Sequence, residues 1–153
     1  MNKIAFVAIA SLAIAACGTQ GNGATGVKAL QDSTIKIHDE IMPQIAHFDR
    51  DAVKIDSILA NLKNLKTAKA DLDTNLTRKE LSTLKANLES ATDHMMDWMK
   101  GYNPDSTDVK YFETELQKVS DMKKIFDNVS KESQDKLKNF LTPKIQITQS
   151  AQL

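Results

Sequence analysis

Imidazole and thioether side chains are the groups in this chain best placed to do chemistry, and they cluster. His38 and Met42 stand four residues apart, so on a helix they share a face. Further on, His94 lies one turn before Trp98, and Met95 one turn before Met99. Imidazole nitrogen together with thioether sulfur suits copper, and a His/Met pair is a known axial set for haem iron. The candidate ligands are His38, Met42, His94 and Met99. The same residue types also do plain structural work. Methionine fills irregular gaps in a core and packs on aromatic rings, and Met95 and Trp98 fall on an apolar helical stripe. A third reading is a surface for a partner, built from His38, Met42, Met96, Trp98 and Met99.

Cys17 is the other chemically distinctive residue. It is the only cysteine, and it follows Lys3, an apolar run of 11 residues from Ile4 to Ile14, and the small pair Ala15-Ala16. An apolar run of that length is too short for a bilayer-spanning helix, which takes about 20 residues. It suits a cleaved secretory signal. Ile14-Ala15-Ala16-Cys17 resembles a lipobox, which implies that residues 1–16 are removed and that Cys17 is acylated as the new first residue. A free thiol after an ordinary signal cleavage is the weaker alternative, because an unpaired cysteine is a liability in an oxidising compartment. Two or more acyl chains anchor a protein stably, each buried methylene contributing about 0.8 kcal/mol. Gly18 rather than Asp follows the cysteine, which by analogy with the sorting rule of enteric bacteria points to the outer membrane.

Composition removes several classes. The whole chain has 20 basic and 20 acidic side chains, so no global field draws it to nucleic acid. It has no Glu-x-x-His for a di-iron bundle, no His-Glu-x-x-His, no Cys-x-x-Cys-His and no glycine-rich phosphate loop. An enzyme is therefore not expected, and no cofactor is expected unless the His/Met cluster takes copper or haem.

These residues must be positioned by helices. Residues 17–26, with Gly18, Gly21, Gly23 and Gly26, read as a lipidated flexible tether. From Val27 the apolar residues Leu30, Ile37, Ile41, Ile45, Phe48, Ile55, Leu59 and Leu62 recur mostly three or four apart, predicting one helix to about Lys66. Pro43 predicts a kink in it, with a full break as the alternative. The chain is expected to turn within 67–75. Thr77-Arg78-Lys79-Glu80 matches a capping box that opens a second helix, which Gly101 closes. Asn103-Pro104 is expected to open a third helix, stopped by Thr142-Pro143. Residues 27–141 would form the folded domain, and 142–153 a loose polar tail. The predicted fold class is all-α: a three-helix antiparallel, coiled-coil-like bundle on a lipid-anchored flexible tether.

Two stretches, His38-Asp39-Glu40-Ile41-Met42-Pro43 and Met95-Met96-Asp97-Trp98-Met99, together with the lipobox and a third amphipathic helix, resemble a family of small helical lipoproteins of Bacteroidetes-type bacteria. Its members often carry the label "viral A-type inclusion protein". The resemblance implies a helical lipoprotein and brings no established activity. It implies a small or acidic residue before the paired methionines, so His94 departs from it.

Folding the chain back near residue 71 sets the His38–His47 stretch level with the His94–Met99 stretch, near the anchored end. Charge then separates along the rod. Residues 18–52 and 88–118 hold 6 basic and 12 acidic side chains, while 53–87 and 119–153 hold 13 and 8. The expected function is a non-enzymatic, lipid-anchored envelope protein with a structural or partner-binding role. Its partners would be the membrane, through the lipid, and an envelope protein or anionic polymer at the basic far tip. The alternative is a copper- or haem-binding envelope lipoprotein.

Overall fold

A computed structural model of the chain describes residues 23–141, which form four helices and no strand. They are α1 (Gly23–Ala60), α2 (Leu62–Ala68), α3 (Thr74–Gly101) and α4 (Val109–Leu141). The expected signal segment, Cys17, most of the proposed tether and the expected tail 142–153 lie outside the described residues. No helix among the described residues is long and apolar enough to cross a membrane.

The core follows a seven-residue spacing. On the first helix Thr34, Ile41, Phe48 and Ile55 are buried, and Leu62 keeps the same step across the turn at Asn61. On α3 the buried series is Thr77, Leu81, Leu84, Leu88, Ala91 and Met95, in steps of four and three. On α4 it is Phe112, Glu115, Val119, Met122, Phe126, Val129, Ser133 and Leu137. This spacing keeps one stripe of each helix on its neighbours over a long distance. The result is a helical bundle in which α1, α3 and α4 all pack against one another and α2 packs on α3. Phe48 and Phe126 stack at 5.0 Å in its middle, joining α1 to α4.

Side-chain pairs give the directions. His38 meets Met99 and Asp56 meets Lys85, so α3 runs back along α1. Gln44 meets Asp127 and Asp51 meets Ser133, so α4 runs the same way as α1.

Several boundaries differ from the sequence reading. α1 starts at Gly23, inside the stretch expected as a tether, because a formed helix propagates through a few weak residues at little cost. Pro43 does not break it: α1 is continuous across that exposed residue, and the missing N–H costs one bond in a helix held by its buried face. The interruption falls at Asn61 instead. There the backbone N–H is shared between the carbonyls of Ser57 and Ile58, at 3.2 and 3.1 Å, and the side-chain amide also donates to Ser57.

The cap of α3 is Asp73, whose carboxylate accepts from the N–H groups of Asn75 (2.9 Å) and Leu76 (3.0 Å). Thr77, the expected cap, lies one turn inside the helix on the core face and donates its hydroxyl to Asp73 O. Gly101 is the last helical residue and no glycine among the described residues has positive φ, so it does not form a left-handed cap. Asn103-Pro104 stays in the loop before α4. Asn103 accepts from Asp105 N, and Asp108, nearer the helix, accepts from Lys110 N at 2.8 Å.

Candidate functional site

Where α1 and α3 meet near the 102–108 loop, the structure joins two of the four candidate ligands. His38 Nε2 lies 3.2 Å from Met99 Sδ. The other ring nitrogen, Nδ1, lies 2.9 Å from Asp39 Oδ1. Both His38 and Met99 are half-buried, and Met99 packs against the core. Met42, one turn further along α1, is half-buried against the same core. His94 does not join them. It is exposed and lines a groove between α3 and α4. Met96 is also exposed. At 3.2 Å, His38 and Met99 are too close to bind haem iron from opposite faces, which needs donors about 4 Å apart. No group of three or more His, Cys, Asp or Glu side chains able to hold a metal occurs among the described residues.

Trp98 links this pair to an aromatic cluster. Its ring is 5.8 Å from that of His38 and 4.8 Å from that of Tyr102. Tyr102 in turn stacks on Tyr111 at 6.4 Å and meets Phe112 edge-on. The indole N–H donates to Glu115 Oε2 at 2.6 Å, and Lys118 holds the other oxygen at 2.7 Å. Glu115 is only 4% exposed, on a core position of α4. A carboxylate in such a place is sustained by charged and N–H partners on both oxygens. Tyr111 Oη accepts from Asn103 N at 2.6 Å, tying the loop to α4. Tyr102 Oη is buried and finds no partner among the described residues. Burial, with Tyr111 and Glu115 nearby, pushes the Tyr102 phenol above its ordinary value of 10.0.

The groove beside this cluster has a volume of about 490 Å³, and its lining includes the half-buried Trp98, the buried Met122 and the exposed Ile125 together with His94, Asp97 and Lys118. Asp97 is held below the usual carboxylate range by its hydrogen bond to Lys100. A second groove, between α1 and α4, has His47, Asp51 and Ser133 among its lining residues, together with Phe48 and Leu137. Ser133, 1% exposed, donates to Asp51 Oδ2 at 2.7 Å, and Lys54 pairs with the other oxygen of Asp51. His47 Nδ1 accepts from Arg50 at 2.8 Å rather than reaching Ser133, so no charge-relay arrangement forms.

Sequence reasoning missed Glu115, Tyr102 and Ser133. Glu115 had a readable signal: it interrupts the apolar three-four steps between Phe112 and Val119. Leu116, its half-buried neighbour, masked the interruption by carrying the stripe instead.

No protein-family model, curated protein or solved structure matches this chain.

Proposed function

We propose that this chain is a non-enzymatic lipoprotein of the bacterial envelope, anchored through acylated Cys17, that holds or recognises another envelope component. The single observation that carries the reading is the lone cysteine at the end of a charged, apolar and small-residue leader. The resemblance to small helical lipoproteins agrees with it, as does the Gly18 that favours the outer membrane. On this reading α1, α3 and α4 form an antiparallel, coiled-coil-like three-helix bundle on a short tether. The surface offered to a partner is the end that carries Met96 and the groove lined by Trp98, Met122 and Ile125. Apolar side chains with charged neighbours are the common make-up of a partner site.

Metabolic labelling with an alkyne palmitate analogue tests the anchor. The chain is expected to take up label and to partition into detergent, and Cys17→Ser is expected to abolish both. Equal labelling of Cys17→Ser, or an unlabelled wild-type chain in the aqueous phase, would sink the reading.

A further inference from the structure

We propose that the outward groove between α1 and α3 receives a basic amphipathic helix of a partner protein, whether or not Cys17 is lipidated. His38 and Asp49 mark the flank of α1 that faces α3: His38 meets Met99, and Asp49 lines a groove shared with α3. Ile35 and Met42 stand three before and four after His38, and Ala46 and Val53 stand three before and four after Asp49. That spacing sets all four on the same flank. Their steps of seven, four and seven match a coiled-coil seam, yet Ile35, Ala46 and Val53 are exposed, Val53 at 69%. On α3, Met96 lies one turn from Thr92, which lines the shared groove, and one turn from Met99, and it is 42% exposed. Of the six large apolar side chains exposed among the described residues, three (Ile35, Val53 and Met96) thus fall on this one face. Apolar side chains gathered in this way mark an interaction surface, which singly scattered ones do not.

Charge selects the partner. The middle of the groove, about 170 Å³, is lined by the buried Phe48 and Leu88, the half-buried Ala52 and the carboxylates Asp49, Glu89 and Asp93. Among the described residues no ion pair involves Asp49 or Asp93. Glu89 faces Lys85 only at 3.7 Å, while Lys85 sits 2.6 Å from Asp56. The α3–α4 groove differs: Asp97, Glu115 and Asp121 are each held by a lysine, at 2.8, 2.7 and 2.8 Å. The α1–α3 groove is therefore the one whose acids are left for an incoming cation. Exposed apolar positions beside such acids match a helix that carries lysine or arginine along the flanks of an apolar stripe. Shape favours a helix as well. α4 already packs on α1 and α3 from the inner side, and a helix in the outward groove completes a four-helix bundle. The seam from Ile35 to Val53 rises about 27 Å, roughly five helical turns. A second copy docked face to face would set these acids against themselves, because a two-fold interface repeats the same patch.

The test uses the full chain as it purifies, in nanodiscs of zwitterionic lipid if it is membrane-bound, with empty nanodiscs as the blank. The probe is a synthetic amphipathic helix of about 20 residues, with leucine on its apolar stripe and lysine on both flanks, labelled for fluorescence anisotropy. The expected result is saturable one-to-one binding above the blank, in the micromolar range and weakened by salt. Val53→Glu with Met96→Glu is expected to weaken it roughly tenfold or more, and so is Asp49→Asn with Asp93→Asn. All four side chains are exposed, so the helical circular dichroism spectrum is expected to stay unchanged. Ile125→Glu, in the α3–α4 groove, is expected to leave binding as it was. The same peptide with glutamate in place of lysine is expected not to bind. Absence of saturable binding above the blank would overturn the proposal. So would equal affinity for the two peptides, or a loss seen only in Ile125→Glu. A dimer that sedimentation shows and Val53→Glu dissociates would overturn it by giving the face to a second copy. Nuclear Overhauser contacts of the Met96 methyl group with residues 142–153 in the free chain would overturn it by giving the face to the chain's own tail.

Discussion

Tyr102 places a phenol oxygen where nothing described receives its proton, and this has a cost that can be measured. A buried polar group without a partner costs about 1–3 kcal/mol, while the ring earns its place by stacking on Trp98 and Tyr111. Tyr102→Phe keeps the ring and removes the oxygen, so it is expected to raise stability by about 1 kcal/mol in urea unfolding. The pH dependence follows from the same burial. The folded phenol titrates above its unfolded value of 10.0, so above pH 10 the unfolded chain binds fewer protons than the folded one. Stability therefore falls as pH rises through and beyond 10, and Tyr102→Phe is expected to flatten part of that fall. A destabilised Tyr102→Phe with the same alkaline slope would mean that the phenol has a partner after all. At this scale the sequence was partly legible. The meeting of His38 with Met99 follows from folding the chain back near residue 71. The Glu115–Trp98 bond does not follow, because stripe-reading assigns charged residues to solvent and gives no reason to bury one.

The three long helices were legible; the separate short helix α2 and the helix ends were not. The seven-residue spacing that places Ile41, Phe48 and Ile55 in the core needs no structure to find. The ends depend on which of several competent caps is used. Thr77-Arg78-Lys79-Glu80 and Asp73 both qualify, and the core decides between them by drawing Thr77 inside. Asp73 is expected to carry the capping energy alone: Asp73→Ala should cost about 1 kcal/mol. Glu80→Ala, which would break a capping box, should cost much less, since Glu80 only faces Lys136 at 3.7 Å across an exposed seam. Thermal melts of the two variants check this, and equal losses would return the cap to Thr77. The loop 102–108 was misread for a related reason. Proline is favoured at the first position of a helix, yet Pro104 also suits a turn. Here its carbonyl accepts from Gln31 while Asp108, four residues on, caps α4.

Among the described residues four polar side chains occupy core positions along the bundle, and each is satisfied. Thr34 and Thr77 bond back to their own helices, Ser133 reaches Asp51 across to α1, and Glu115 reaches Trp98 on α3. The last two are cross-helix bonds that a slipped register would break, so they favour one alignment of the three long helices. That alignment fixes where the charges lie. The seam where Gln31 meets Pro104 belongs to the acidic half, and the seam where Lys69 donates to Asn139 belongs to the basic half. Lys63, Lys66 and Lys69 line up on and just after α2 at the basic end. Lys66 and Lys69 bond only backbone carbonyls in the described contacts, so their charge is not cancelled by a carboxylate there. Such a tip is expected to hold an anionic polymer through screened electrostatics, with a range of about 8 Å at physiological ionic strength. The purified chain should be retained on an immobilised polyanion at low salt and released within a few hundred millimolar sodium chloride. Replacing all three lysines, Lys63→Gln, Lys66→Gln and Lys69→Gln, should cut retention several-fold, while the same number of changes at Lys100, Lys110 and Lys118 in the acidic half should not. Retention indifferent to salt, or none at low salt, would show that the charge separation along the rod is solvated surface without a target.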